Sequence, residues 1–229
     1  MKTIGIIGGL GPETTSEFYL KLIFKSYQID KTQRPPVLMW SIPMEYKIEE
    51  DLIQRSTGEE RYIPFLIDAA KRLESGGADF IVIPCNSVHI FIEEIRSAVK
   101  IPVLSIVEET SKFLQNNNVE SVGLLATQTT VKTNLYQLPL EQNGIKVVLP
   151  TKENQAEIGA LISRLVLSRN GEEDKQELIK IIEDFKQFNV NTVVLACTDL
   201  QLLAPSHADF NIYDSMEILL DSAVKFIGK

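Results

Sequence analysis

Two stretches of this chain share one outline. Phe80-Ile81-Val82-Ile83-Pro84-Cys85-Asn86-Ser87 is an apolar run that ends on a thiol followed at once by polar residues, and Thr192-Val193-Val194-Leu195-Ala196-Cys197-Thr198-Asp199 repeats it 112 residues later. These are the only two cysteines in 229 residues, and each occupies the same point of the same pattern. The opening apolar runs around Gly5 and Gly123 lie 118 residues apart, and the closing runs at Leu104-Ser105-Ile106 and Asn211-Ile212-Tyr213-Asp214 are separated by roughly 108. Such steady offsets predict two homologous halves, so whatever fold the first half adopts, the second must repeat.

Within each half, short apolar runs alternate with stretches of helical spacing. Thr3 to Ile7 reads as a strand, Gly8-Gly9-Leu10-Gly11-Pro12 as a turn, and Glu13 to Ser16 as a helix start rich in capping hydroxyls. Further strands are expected at 37–41, 80–83, 103–106, 122–126, 146–149, 192–196 and 211–214. Helices are expected from 62 to the Gly76-Gly77 stop and over 87–99, 108–114, 155–167, 172–188 and 215–227. Residues 42–60 are charged and irregular, either a flap over a site or a solvated loop. Alternation of this kind predicts an α/β protein of two pseudo-symmetric lobes, each a mostly parallel sheet flanked by helices, with the active site in the cleft between them.

The totals exclude several classes. Twenty-three basic and thirty-one acidic side chains give a net charge of −8 without a basic cluster, which argues against nucleic acid or an anionic membrane as partner. The first apolar run is too short for a signal peptide, and no run reaches the ~18 residues of a membrane span. A cytoplasmic protein with two reduced thiols is expected. The glycine turn has Thr14 where a dinucleotide fingerprint needs its third glycine, and no P-loop lysine follows. Cys85 and His89 are four apart, yet two cysteines and two histidines fit no zinc spacing. His89 reads as a helix-face or supporting residue and His207 as a loop residue.

In open parallel sheets ligands sit beyond the carboxyl ends of the strands, where Cys85, Cys197, the glycine turn and Thr127 to Thr130 all fall. Halves facing each other across a pseudo-twofold axis would bring the two thiols to one cleft from opposite sides. Inverting a stereocentre by proton transfer needs that arrangement: one base on one face and one acid on the other. A thiol titrates near neutrality, and a helix N-terminus is expected to lower its pKa further. Asn86, Ser87, Thr198 and Asp199 follow the thiols and are candidates to hold a carboxylate or ammonium group, with Thr127, Thr129 and Thr130 opposite. Gly9, Leu10 and Gly11 are candidates to bring backbone amides to a small anion.

The opening residues 1–13, the Cys85-Asn86-Ser87 box and the Cys197-Thr198-Asp199 box together resemble the aspartate/glutamate racemase family, which carries cysteine-asparagine-threonine and cysteine-threonine-glutamate there. The resemblance covers essentially the whole chain. It implies cofactor-independent racemisation of an acidic amino acid, aspartate first, by Cys85 and Cys197, without pyridoxal phosphate or metal. It also implies substrate contacts from Asn86, Ser87, Thr127 and Thr198, and a homodimer. The lobes it implies are 1–102 joined by the C-terminal strand and helix of 206–229, and 103–205.

Ser87 and Asp199 keep the hydroxyl and carboxylate of the family pattern. The basic residues expected for a side-chain carboxylate are replaced by Pro43-Met44-Glu45 and Leu167, leaving Arg164, Arg169, Lys47 and Arg55 as candidates. Two other readings stay open: an enzyme resembling maleate isomerase with a nucleophilic cysteine, and a non-catalytic protein that binds a small carboxylate.

Overall fold

A computed structural model describes residues 1–45, 47–48, 51, 57–203 and 205–228. Strand β1 (Ile4–Gly8) is buried along its whole length and is followed by helix α1 (Pro12–Ser26) and strand β2 (Val37–Ser41). Helix α2 (Ile63–Ser75) leads to β3 (Phe80–Val82), after which a 3-10 turn, Ser87–Phe91, precedes α3 (Ile92–Ala98). Helix α4 (Ile106–Asn116) closes the first half.

The second half contains β4 (Ser121–Ala126), the short helices α5 (Gln128–Lys132) and α6 (Gln137–Gln142), and β5 (Lys146–Val148). Helices α7 (Lys152–Val166) and α8 (Glu172–Glu183), strand β6 (Thr192–Ala196), strand β7 (Asn211–Asp214) and helix α9 (Ser215–Ile227) complete it.

The ladders form two parallel sheets, ordered β2-β1-β3 and β5-β4-β6-β7. β1 and β4 are interior strands flanked on both faces, so their near-continuous apolar sequences follow from burial on both sides. A parallel bridge from Ile81 to Val103 adds one further position to the first sheet. The two sheets therefore repeat one strand order, as duplicated halves require.

Three apolar cores hold the layers together. One lies between the first sheet and α2 and α3, around Ile7, Leu66, Leu73, Ile81 and Ile95. A second joins β6 to α7 and α8, around Ile162, Leu178, Phe185 and Leu195. The third is shared: Ile4, Phe18 and Phe80 of the first half pack with Val122, Leu124 and Val194 of the second through Val107, Leu114, Leu219 and Ala223 of α4 and α9. Each fully buried aliphatic side chain contributes roughly 1.5–3 kcal/mol. The middle layer thus makes the two halves one body.

The final helices cross between the halves. Helix α4 follows the first sheet in sequence but meets the second half, where Asn143 Nδ2 donates to Ser111 Oγ at 2.8 Å. Helix α9 follows β7 but returns to α1, where Lys25 Nζ lies 2.9 Å from Glu217 and 2.6 Å from Asp221, and Lys21 also pairs with Glu217.

Strand pairing differs from the lobe boundaries implied by the resemblance. β7 pairs with β6 in the second sheet, and Val103 bridges to the first. The physical reason is local, since each half adds its last strand position beside the thiol-bearing strand before its helix crosses over. Residues 103–106 do not form a full strand, because Ser105 caps α4 by accepting from the Glu108 N–H at 3.3 Å and starts the helix at Ile106. Residues 87–99 break into a 3-10 turn and a short helix, and the helix expected over 172–188 tightens to a 3-10 turn at Asp184–Phe188. Helices α5 and α6 were not anticipated.

Candidate active site

Both thiols follow the carboxyl ends of parallel strands, Cys85 after β3 and Cys197 after β6. Cys85 follows β3 after a tight turn in which its N–H donates to Ile83 O at 2.8 Å, and it is half-buried. Cys197 follows β6 directly and is buried. Neither is in a disulfide, and both line the same cavity between the halves. Ser87, Thr127, Thr198 and Asp199 share its wall, as do Leu10, Gly11 and Asn86.

Cys197 carries the clearest electrostatic signature. Burial above all, then the Asp199 carboxylate and the neighbouring Cys85, push its pKa well up, while a backbone hydrogen bond at Asp199 pulls the other way. Its Sγ lies 3.6 Å from Asp199 Oδ2, an arrangement suited to a neutral thiol donating to the carboxylate. For Cys197 the expectation of a thiol lowered by a helix N-terminus is corrected. The helical segment that follows Cys197 is the four-residue 3-10 turn Leu200–Leu203, too short for its dipole to outweigh burial beside an anion.

His89 supports the first thiol. It is buried, its Nε2 accepts from the Ile106 N–H at 3.2 Å, and its Nδ1 lies 2.7 Å from Cys85 O. With Nε2 an acceptor, the proton sits on Nδ1 and is donated to the Cys85 carbonyl. Burial lowers the His89 pKa to about 4, so the ring is neutral at physiological pH. The ring pins the Cys85 peptide between β3 and the start of α4.

Asn86 is bound by the opposite half. Tyr136 donates its phenol to Asn86 Oδ1 at 2.5 Å, Asn86 Nδ2 donates to Ser215 Oγ at 3.1 Å, and Ser215 donates onward to Leu195 O at 2.8 Å. The amide oxygen and one amide N–H are thus engaged, and Asn86 lines the cavity. The hydroxyls of Ser87 and Thr127 are 2.9 Å apart, and Thr127 caps α5 by accepting from Thr130 N at 3.2 Å. Thr130 lies behind this pair, 3.4 Å from Ser87 Oγ. Thr129 is buried and its hydroxyl has no hydrogen-bond partner among the described residues.

The glycine turn places Leu10 and Gly11 on the wall and Gly9 behind it. Gly9 and Gly11 have φ of 81° and 92°, values that favour glycine. A Cβ on Gly9 would meet Ser41 Oγ at 2.7 Å, and one on Gly11 would meet Thr14 Oγ1 at 2.7 Å. The Gly9 N–H donates to Thr15 Oγ1 at 3.2 Å, so this amide stabilises the turn.

The basic candidates lie elsewhere. Arg164 pairs with Asp174 and Glu177 at 2.8 and 2.7 Å, Lys47 Nζ is 3.7 Å from Asp51, and Arg169 is exposed. Arg55 and much of the 42–60 segment fall outside the described residues.

Sequence reasoning missed Tyr136 and Ser215, which fix Asn86, and Tyr62, Val88, Ile162 and Val166, which line the cavity. Ile162 and Val166 did carry a signal, an apolar pair four residues apart on one helix face, and it reads equally well as core. Among the described residues no cluster of three His, Cys, Asp or Glu side chains is placed to hold a metal ion, and no helix is long and apolar enough to cross a membrane.

Fold and cavity together define the class: a two-lobed α/β protein of duplicated halves, with a strand-end thiol from each half at one cavity. The sequence profile of the Asp/Glu/hydantoin racemase family matches residues 7–223, and the chain belongs to that family. It is 30% identical over 226 residues to the broad-specificity amino-acid racemase of Bacillus subtilis, with 96% of each chain covered. Among solved structures, an aspartate racemase homologue from Pyrococcus horikoshii superposes with a TM-score of 0.82 at 29% identity over 100% of both chains. The aspartate racemase of Picrophilus torridus superposes with a TM-score of 0.81 at 25% identity, covering 100% of this chain and 95% of that one. The protein is accordingly an amino-acid racemase, an isomerase of this family.

Proposed function

We propose that this racemase inverts the α-carbon of a free amino acid by a two-base mechanism in which Cys85 and Cys197 act on opposite faces. The observation that carries this reading is that two thiols from different sheets line one cavity, close enough for Cys85 to raise the Cys197 pKa.

In one direction a Cys85 thiolate takes the α-proton, so that the C–H bond breaks and an S–H bond forms. The Cys197 thiol then gives its proton to the other face of the carbanion. In the reverse direction the roles exchange. The charge that develops on the α-carboxylate during deprotonation needs donors already in place, and the hydroxyls of Ser87, Thr127 and Thr198 are positioned on the wall to supply them. Asp199, on the cavity lining, takes the ammonium group in this reading. Both proton-transfer groups come from the chain itself, so the proposed reaction uses no cofactor.

Aspartate, implied by the resemblance and by the names of two solved neighbours, is the reference substrate, and the B. subtilis relative widens the candidates to other amino acids. A homodimer and a cytoplasmic location, which would keep both thiols reduced, complete the proposal. Sedimentation at twice the monomer mass is the expected reading for the first.

The decisive experiment incubates single enantiomers of amino acids with the enzyme in deuterated water. Both enantiomers should appear, with deuterium at the α-carbon of the product. Cys85→Ser and Cys197→Ser should each reduce turnover by several powers of ten, roughly the span of a lost acid or base and more. Near-normal racemisation by either variant would rule out the thiol pair.

A further inference from the structure

The cavity lining is of two chemical kinds. One is polar: the thiols, the hydroxyls of Ser87, Thr127 and Thr198, and Asp199. The other is apolar. Helix α7 contributes Ile162 and Val166, which lie one turn apart and so share a face, and Tyr62 and Val88 join them from the first half. Ile162, Val166 and Val88 are hydrocarbon and Tyr62 adds an aromatic ring with its phenol, and Tyr62, Val88 and Ile162 are only 3%, 2% and 2% exposed.

Among the described lining residues Asp199 is the only charged side chain. A free amino acid brings one ammonium and one carboxylate at its α-carbon. Asp199 complements the first, and the hydroxyls with nearby amides complement the second. No cation on the described wall remains for a third charge. A side-chain carboxylate placed against Ile162 and Val166 would lose its hydration and face the Asp199 anion.

Two described cations adjacent in sequence to the lining residues are held elsewhere. Arg164 sits between Ile162 and Val166 in sequence, but two residues on along a helix is the opposite face, and there it is held by Asp174 and Glu177. Arg61, one residue before Tyr62, is held by Asp51 at 2.9 Å.

Resting on the two-thiol reading above, we propose that the side-chain pocket of this racemase takes an amino acid with an uncharged, apolar side chain, of the leucine or methionine class, in preference to aspartate or glutamate. Ile162 and Val166 are the specificity-determining residues.

The test compares α-deuterium exchange for leucine, methionine, aspartate and glutamate with the full chain. kcat/KM for leucine or methionine should exceed that for aspartate by roughly tenfold or more. Val166→Lys, which puts a cation on the apolar wall, should raise aspartate turnover and lower that of leucine. Faster turnover of aspartate or glutamate by the unaltered enzyme would overturn the proposal. Calorimetric titration with leucine and aspartate keeps the pocket and the chemistry separate. Tighter binding of leucine without exchange of any amino acid would support the pocket and sink the two-thiol mechanism. Tighter binding of aspartate, or binding of neither, would overturn the pocket.

Discussion

The hydroxyl oxygens of Ser87 and Thr127 meet 2.9 Å apart across the boundary between the halves. Ser87 begins the 3-10 turn after the first thiol, and Thr127 caps the helix that follows β4. Two strand ends from different sheets are thereby fixed at one point of the cavity wall, beside the place proposed for the substrate carboxylate.

Thr127→Val removes the capping acceptor and the contact with Ser87 while keeping the shape. A lost helix cap costs about 1 kcal/mol. Turnover should fall by a larger factor than binding, since the donor matters most where charge develops in the transition state. Steady-state kinetics on the preferred amino acid, with denaturant melts alongside, separates the two effects. An unchanged kcat would remove Thr127 from the proposed donor set.

Asp199→Asn relieves one of the causes that push the Cys197 thiol up. The ionised form of Cys197 then becomes accessible at lower pH. In the direction that uses Cys197 as base, the rising limb of the pH–rate profile should move to lower pH. Rates measured for each enantiomer separately from pH 6 to 10 check this, and a limb that stays in place would show that Asp199 does not set the Cys197 proton affinity.

Two buried groups act on stability in opposite senses. His89, lowered to about 4, stabilises the fold above the unfolded imidazole value of about 6.5, and that contribution is lost as pH falls toward 4, by roughly 3 kcal/mol in all. Asp214, raised to about 7 chiefly by burial, stabilises the fold below about 3.9 and loses that contribution as pH rises through 7.

Removing either group should uncover the other. His89→Gln should flatten the acid side of the stability curve, and Asp214→Asn should stabilise the protein at pH 7.5 with no gain at pH 4. Thermal melts across that range test both signs.

Tyr136→Phe leaves Asn86 Oδ1 buried without its donor. A stranded buried acceptor costs about 1–3 kcal/mol, which urea unfolding should register in full. The aromatic packing remains, so the effect is assignable to the hydroxyl. A variant as stable as the parent would show that this bond contributes nothing net.

The strands that deliver the thiols were legible because a parallel strand covered on both faces is apolar along its length, and that pattern needs no knowledge of partners. Cys85 and Cys197 were legible for the same reason, since both stand where such a run ends. The bond from Tyr136 to Asn86 was not, because it joins residues 50 apart whose meeting depends on the packed halves. The upward shift of the Cys197 thiol is likewise tertiary: the sequence shows the neighbouring Asp199 but not the burial that makes a nearby anion costly. Ile162 and Val166 were visible as an apolar pair, yet helix periodicity alone does not distinguish a cavity wall from a core. The 103–106 segment was read as a strand from its apolar residues, and a single hydroxyl, that of Ser105, turns it into a helix start.

The crossing of α4 and α9 has a consequence for how such a molecule could arise and operate. A chain of half this length would leave the face that receives its neighbour's helix open to water, and would gain a closed core only by exchanging helices with a second copy. The one thiol of each copy would then meet its counterpart only when two chains met, and their pairing would vary with protein concentration. Joining the copies in one polypeptide makes that encounter intramolecular, at an effective concentration on the order of millimolar whatever the amount of protein in solution. It also frees the two sides of the cavity to diverge, so that one half can keep a hydroxyl where the other places a carboxylate, as Ser87 and Asp199 now do.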